Sequence, residues 1–220
     1  MSLWIKICAN TSLEDAMTAA EAGADAVGFV FAPSPRHVTA EQVAAIVPHL
    51  PAEIEKIGVF VDATVDEIAA TVEATCLTGV QLHWDAPAEA PAALRARFGS
   101  SLRILGVVHF DGNASEVASA VSREKDVDAI LVDSRTGTAV GGTGKSYDWA
   151  AASLTLFQSL NVPKHRLIAA GGLTPENVAE AIATLHPWGI DVVSGVEVVP
   201  GRKDAAKVRA FIANARVAQT

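Results

Sequence analysis

The chain has 220 residues and a formal net charge of −8 at pH 7, so it repels phosphate backbones and nucleic acid is not an expected partner. No stretch reaches the roughly 18 uncharged apolar residues that span a bilayer, and the N-terminus lacks a signal-peptide pattern, so we expect a cytoplasmic protein with no membrane partner. Half of the residues are apolar and no linker-like stretch interrupts them, which predicts a single domain over residues 1–220.

Short apolar runs alternate along the chain with segments of helical periodicity. In chain order, the predicted strands are residues 3–7, 26–30, 56–61, 79–82, 102–108, 129–132, 166–169 and 190–193. After the first strand, residues 11–24 predict a helix with Ser12 as its N-cap and Gly23 at its end. The segments 39–47, 64–74, 113–121 and 174–185 also predict helices, each starting on Thr or Asn with an acidic residue soon after.

Eight strand–helix units in 220 residues predict an α/β fold, a (β/α)₈ TIM barrel near the small end of its size range. The alternative is a doubly wound open sheet. That fold usually has fewer strands and a glycine-rich turn after the first strand, where this chain has Cys8, Ala9 and Asn10. We therefore favour the barrel.

In such a barrel, the residues at the carboxyl ends of the strands carry the chemistry. Those positions hold Cys8, the loop 31–37, Asp62, His83, His109, Asp133, Gly171, Gly172, Ser194 and Gly195. Taken alone, Cys8 is most simply a small buried hydrophobic residue and Asp133 a turn former. We expect Asp62, His109 and Asp191 to be hydrogen-bonded loop or core residues.

Three glycine clusters occupy the late part of the chain, at residues 141–146, 169–177 and 194–197. Glycine lets backbone N–H groups approach an anion, and barrel enzymes hold substrate phosphate after strands seven and eight. Each cluster alone could be a tight turn, but together they predict an anion site. A P-loop is excluded because Ala139 stands where that motif needs glycine, and the ligand spacing of a zinc site is missing.

Six segments carry a family resemblance: "KICANTSLEDAMTAAEAGADAVGFVFAPSPRHVT", "VQLHWD", "LVDSRTGTAVGGTGKSYDW", "AAGGLTPENVAEAI", "GIDVVSGVE" and "PGRKDAAKVRAFI". In this order, and from end to end, the chain resembles the phosphoribosylanthranilate isomerases of tryptophan biosynthesis. The resemblance implies a (β/α)₈ barrel that converts N-(5'-phosphoribosyl)anthranilate to 1-(2-carboxyphenylamino)-1-deoxyribulose 5-phosphate, an Amadori rearrangement without cofactor or metal. It implies a small phosphorylated substrate as partner, and it leaves both monomer and homodimer open.

The resemblance also assigns roles to residues of this chain. It implies that Cys8 is the general base, that Asp133 is the general acid, and that Arg36 faces the anthranilate carboxylate. It places His83 in the pocket, and around the phosphate it places Gly142, Gly144, Gly172, Ser194 and Gly195. Such a pair suits the reaction, because the acid would protonate the ribose ring oxygen and a thiolate would remove the C2' proton of the resulting Schiff base.

Three positions depart from the family pattern. Ala9 and Trp84 stand where glycine is usual, and Asn10 stands where an apolar residue is usual. We expect Ala9 to shift the backbone beside the base and Trp84 to narrow or cover the pocket. Two alternatives stay open: a dual-substrate isomerase that also acts in histidine biosynthesis, which usually has two aspartates, and a non-catalytic phosphate-binding barrel. The sequence does not decide whether residues 141–145 close over the substrate.

Overall fold

A computed structural model of the chain describes residues 2–83, 87–110, 126–134, 148–153, 157 and 166–219. Eight parallel strands form a closed barrel in sequence order. They are β1 Trp4–Ile7, β2 Ala26–Val30, β3 Glu55–Phe60, β4 Gly79–Leu82, β5 Arg103–Phe110, β6 Ala129–Ser134, β7 Arg166–Ala169 and β8 Gly189–Val192. Because β8 pairs with β1, the predicted barrel is confirmed and the open sheet is excluded. Each predicted strand end lies within two residues of the observed one.

Helices follow most of the strands. The described ones are α1 Leu13–Glu21, α2 Ala40–Ile46, α3 Val65–Thr75, α4 Ala90–Phe98, α5 Trp149–Ala152, α6 Val178–Leu185 and α7 Ala205–Ala218. The helix predicted at residues 113–121 lies outside the described residues. Between β8 and α7 lies a short antiparallel hairpin that the sequence did not predict, β9 Glu197–Val199 and β10 Arg202–Lys203. In the part of the chain that the structure describes, no helix has both the length and the apolar character of a membrane span.

The first three helices begin at the caps that the sequence predicts. The Ser12 hydroxyl accepts a hydrogen bond from the third residue of α1. Thr39 and Gln42 form a capping box at the start of α2, and Thr64 and Glu67 form another at the start of α3. Each side chain satisfies a backbone N–H group that has no partner inside its helix, which fixes where the helix starts after its loop.

The helix predicted from Thr174 begins later, at Val178, and this prediction was wrong at its start. Asn177 takes the N-cap position, and its side chain points back into the loop after β7. Its Oδ1 accepts from the Thr174 N–H at 2.7 Å, and its Nδ2 donates to the Gly172 carbonyl at 2.9 Å. The residues before Val178 therefore shape the loop at the strand end instead of extending the helix.

Two apolar layers surround the strands. The inner layer fills the barrel with Trp4, Ala26, Ile57, Leu105, Val107, Ala129, Leu131, Ile168 and Ala170. The outer layer, which includes Ile5 and Ile7, lies between the strands and the helices. Because side chains alternate along a strand, Lys6 and Cys8 share the inward face of β1 with Trp4. The first strand thus brings a fully buried lysine into the barrel beside Cys8.

Candidate active site

A cleft opens at the carboxyl ends of the strands and encloses about 770 Å³, including space open to solvent. All predicted site residues that the structure describes line it, namely Cys8, Arg36, His83, Asp133, Gly172, Ser194 and Gly195. Gly142 and Gly144 lie outside the described residues, as does Trp84. The sequence therefore predicted which side chains meet here, although they come from six different strand ends or loops.

Cys8 directly follows β1, and its backbone N–H donates to the carbonyl of Val192 at 2.9 Å. The pairing of the first and last strands therefore fixes the position of this residue. Its thiol is buried and free. Burial raises the pKa of the Cys8 thiol above its ordinary value, the positive charge of Lys6 acts in the opposite direction, and the negative charge of Asp191 raises it further.

Lys6 and Asp191 form an ion pair inside the barrel. The Lys6 ammonium donates to Oδ1 of Asp191 at 2.9 Å and to Oε1 of Gln81 at 2.8 Å. Burial alone would lower the pKa of Lys6, but the charges of Asp191 and Cys8 outweigh burial and raise it. Asp191 was expected to be a hydrogen-bonded core residue; it is hydrogen-bonded, and with Gln81 it also lines the cleft.

The thiol of Cys8 packs closely against Gly28 on β2. A Cβ atom added at Gly28 would lie 2.6 Å from Sγ of Cys8 and 3.0 Å from Cε of Lys6. Both contacts are shorter than van der Waals distances, so a larger residue would displace the thiol or the lysine. Gly28 therefore provides the space that the two inward side chains of β1 need.

The turn after Cys8 has an unusual conformation. Ala9 has a φ of 61°, in the left-handed region that glycine adopts most easily. Asn10 is fully buried, and its side-chain amide donates to the carbonyl of Ile7 at 2.8 Å and to that of Gly28 at 3.2 Å. An apolar side chain could not make these bonds. The two departures from the family pattern therefore act together, because Ala9 turns the backbone and the side chain of Asn10 stabilises that turn.

Arg36 is held by the hairpin that follows β8. Its Nε donates to Oε1 of Glu197 at 2.9 Å, and its Nη2 donates to Oε2 at 2.8 Å. Glu197 also accepts from the Gly201 N–H at 3.2 Å and from the Lys203 ammonium at 3.3 Å. Burial alone would raise the pKa of Glu197, but the hydrogen bonds and charges of Arg36 and Lys203 lower it below its ordinary value. Burial lowers the pKa of Lys203.

The loops after β7 and β8 line the cleft with Gly171, Gly172, Ser194 and Gly195. Gly171 and Gly172 have φ angles of 84° and 67°, which favour glycine. Ser194 and Gly195 lie in a single 3₁₀ turn, Ser194–Val196. A Cβ atom at Gly195 would lie 1.9 Å from the carbonyl oxygen of Leu173, so the two loops touch through their backbones. Side chains at these positions would separate the loops.

Asp133 lies on β6, where it is in register with His109 of β5, and it is buried at the cleft wall. His83 follows β4, and its ring lies 5.9 Å from that of His109 at an angle of 46°. Asp62 is exposed. Among the described residues, no group of three or more His, Cys, Asp or Glu side chains is placed to hold a metal ion.

Sequence reasoning missed four residues that support this site: Lys6, Gln81, Glu197 and Lys203. Two of them had a visible signal. Lys6 and Gln81 are polar residues inside otherwise apolar strands, each two positions before a predicted site residue and hence on the same face of the strand. Glu197 and Lys203 had no such signal, because their partners depend on a hairpin that the sequence did not predict.

Fold and cleft together define a class of protein. The chain is a (β/α)₈-barrel enzyme in which a thiol, a carboxyl group and a guanidinium face one cleft beside two glycine-rich loops, an arrangement suited to acid–base chemistry on an anionic substrate.

A family model described as N-(5'phosphoribosyl)anthranilate (PRA) isomerase matches residues 5–214, so the chain belongs to this family. The N-(5'-phosphoribosyl)anthranilate isomerase of Trichlorobacter lovleyi is 43% identical over 216 residues, which cover 97% of this chain and 98% of that protein. The crystal structure of the phosphoribosyl anthranilate isomerase of Thermotoga maritima has a TM-score of 0.86 and 35% identity, with 98% and 99% of the two chains covered.

A similar solved structure contains a ligand. It is a phosphoribosyl anthranilate isomerase in complex with reduced 1-(o-carboxyphenylamino)-1-deoxyribulose 5-phosphate. Its TM-score to this chain is 0.82 at 34% identity, and 98% of this chain and 99% of that one are covered.

Proposed function

We propose that this chain isomerises N-(5'-phosphoribosyl)anthranilate to 1-(2-carboxyphenylamino)-1-deoxyribulose 5-phosphate in tryptophan biosynthesis, with Cys8 as general base and Asp133 as general acid. The observation that carries the proposal is the presence of Cys8, Asp133 and Arg36 in one cleft with the glycine-rich loops after β7 and β8. Family membership and the ligand of the similar structure support the same substrate.

The acid and the base act in sequence. The carboxyl group of Asp133 donates a proton to the ribose ring oxygen, the bond from that oxygen to C1' breaks, and a Schiff base forms between C1' and the anthranilate nitrogen. The positive Schiff base acidifies the hydrogen on C2'. The thiolate of Cys8 removes this proton, and the resulting enolamine tautomerises to the aminoketose.

Arg36 binds the carboxylate of the anthranilate ring in this proposal. A guanidinium has two edges that each place two N–H groups in parallel. Glu197 occupies the edge formed by Nε and Nη2, and among the described residues Nη1 has no hydrogen-bond partner. The edge formed by Nη1 and the second hydrogen of Nη2 is therefore the one we assign to the substrate, and lysine could not replace it.

The phosphate occupies the other end of the cleft, against the loops that contain Gly172, Ser194 and Gly195. Exposed backbone N–H groups suit an anion, and the tight packing of Gly195 on Leu173 keeps side chains away from that space. Gly142 and Gly144 stay predicted members of this phosphate site.

The test is the loss of phosphoribosylanthranilate fluorescence with purified protein. We expect turnover by the wild type and a loss of at least a hundredfold in kcat for Cys8→Ala and for Asp133→Asn, since acid–base groups typically contribute about 10²–10⁴-fold. The matched control is Cys76→Ser, which removes the other, exposed thiol and should leave turnover unchanged.

Two outcomes would contradict the proposal, and a third would extend it to a second substrate. If the Cys8→Ala protein keeps most of its turnover, Cys8 is not the general base. If the wild type binds phosphorylated ligands but shows no turnover, the protein is the non-catalytic phosphate-binding barrel of the second alternative. Turnover of the histidine-pathway aminoaldose in a separate assay, in addition to turnover of phosphoribosylanthranilate, would establish the dual-substrate alternative.

We further propose that residues 1–220 act as one barrel domain in the cytoplasm, as a monomer or a homodimer. The backbone N–H of Leu3 donates to the Gln219 side chain at 2.6 Å, so the two ends of the chain meet at the barrel. The two free cysteines support the location, because reduced thiols are typical of the cytoplasm. Sedimentation of the purified chain distinguishes monomer from homodimer.

A further inference from the structure

We infer that Lys6 and Asp191 are positioning residues for Cys8: Lys6 holds a positive charge beside the thiol and favours the thiolate, and Asp191 holds Lys6 in place while opposing its effect. The inference deepens the proposed function, because it explains how a buried thiol serves as a base. It rests on that function only for its catalytic consequence, since the charge pair and the thiol are features of the protein without substrate.

The first step is the charge of Lys6. Its side chain is completely buried, where an unpaired ammonium would be very unfavourable. The carboxylate of Asp191 lies 2.9 Å from Nζ, and Oε1 of Gln81 lies 2.8 Å from it. A charged and a neutral acceptor at these distances keep the lysine protonated. The barrel therefore contains a fixed positive charge.

The second step is the direction in which that charge acts. An ammonium has three N–H groups, and Asp191 and Gln81 accept from two of them. The thiol of Cys8 lies on the same face of β1, and its Sγ flanks the same small space above Gly28 as Cε of Lys6. The positive charge of Lys6 acts to lower the pKa of this thiol. The strand places the backbones of residues 6 and 8 on one face, and Asp191 and Gln81 hold the ammonium at the end of the lysine side chain.

The third step is the set of other charges near the thiol. Lys203 of β10 acts on Cys8 in the same direction as Lys6 but more weakly, and Asp191 of β8 acts in the opposite direction. Among the described residues, the cleft wall also contains the charged or titratable groups of Arg36, His83 at the end of β4 and Asp133 of β6. Lys6 has the largest charge effect on the thiol, so its removal and the removal of Asp191 shift the titration of Cys8 in opposite directions.

The experiment titrates Cys8 directly. In a Cys76→Ser background Cys8 is the single thiol, and its alkylation rate by iodoacetamide against pH gives its titration midpoint without substrate. Three variants are compared with this background: Lys6→Met, Asp191→Asn and the double variant. Because single variants leave one buried group without its partner, circular dichroism checks folding, and the double variant removes both charges together.

We expect the midpoint to rise by about one unit or more in Lys6→Met, to fall in Asp191→Asn, and to lie between these values in the double variant. In turnover assays, the acid limb of kcat/KM should move with the midpoint, so that Lys6→Met regains activity at high pH. A purely structural role for Lys6 would lower activity equally at every pH.

Two results would overturn the inference: equal midpoints in all four proteins, or a midpoint in Lys6→Met that is lower than that of the background protein. Failure of the proposed function is a separate result. A wild type without turnover whose thiol titrates as expected contradicts the isomerase activity and leaves the charge pair intact.

Discussion

Arg36, in the loop after β2, and Glu197, in the hairpin after β8, form a two-point ion pair, with Nε to Oε1 at 2.9 Å and Nη2 to Oε2 at 2.8 Å. The carboxylate is itself fixed by the backbone of Gly201 and by Lys203. The guanidinium proposed to bind substrate is therefore oriented by a hairpin rather than by its own loop. Substrate affinity should depend on a residue that does not touch the substrate.

We predict that Glu197→Gln raises KM about tenfold and changes kcat much less. The amide still accepts one hydrogen bond, but it loses the charge and the symmetric pair of acceptors, and a tenfold change corresponds to about 1.4 kcal/mol. Steady-state kinetics on the purified variant provide the measurement. The matched control is Glu73→Gln, which removes an exposed ion pair with Arg97 and should leave KM unchanged. Equal KM values for wild type and Glu197→Gln would contradict the orienting role.

Stability at low pH should also depend on Glu197. Its pKa is lowered in the folded protein, so its contribution is fully present above the unfolded pKa of about 4.3 and is lost as the pH falls through the folded pKa. We therefore expect the free energy of unfolding of wild type to exceed that of Glu197→Gln near neutral pH, with a difference that shrinks below about pH 4. Urea unfolding of both proteins at several pH values between about 4 and 7 measures this difference in the free energy of unfolding. A difference that does not change with pH would contradict the prediction.

Replacing Ala9 with glycine should stabilise the protein by about 1 kcal/mol, because the left-handed backbone at φ 61° costs alanine about 1–2 kcal/mol and glycine little. Urea unfolding gives the value. Ala70→Gly is the opposite control, since Ala70 is exposed within α3 and glycine there should destabilise by about 1 kcal/mol. If both substitutions destabilise, the turn after Cys8 is not strained.

Gly28→Ala should reduce kcat at least tenfold, because the added methyl group displaces the thiol of Cys8 and small misplacements of reacting groups are costly. Stability should fall by about 1–3 kcal/mol, as in other overpacked cores. Gly58→Ala is the matched control. Its methyl group would come within 2.7 Å of the Leu77 side chain, outside the barrel, so it should cost stability without reducing the turnover of folded protein. Full activity in Gly28→Ala would show that the thiol tolerates displacement.

The strands and the first three helices could be predicted because they depend on local sequence patterns. Apolar runs and caps such as Thr39 and Thr64 depend only on neighbours in sequence, and they placed the strands and the first helices correctly. The same reasoning placed Cys8, Asp133 and Arg36 in one cleft, because the carboxyl ends of parallel barrel strands meet on one side. The predicted helix start at Thr174 was wrong because the side chain of Asn177 bonds back to Thr174 and Gly172 and so shapes residues 172–177 as part of the loop after β7.

Long-range partners were the unpredictable part. Lys6 and Asp191 face each other only when β8 pairs with β1 in the observed register, and Arg36 meets Glu197 only because a two-strand hairpin returns over the barrel. Strands as short as Arg202–Lys203 carry no periodic signal. A lysine within an apolar strand indicates a buried partner, but no local pattern says which carboxylate provides it.

Closure of the barrel also has a consequence for how the chain is made. Of the eight barrel strands, the one that contains Lys6 is synthesised first and the one that contains Asp191 last. Until the eighth strand is synthesised, an early barrel fragment would have to bury an ammonium without its carboxylate, which disfavours premature collapse of the first strands. The buried ion pair, and with it the fixed charge beside the thiol of Cys8, therefore forms only when the first and the eighth barrel strands have paired.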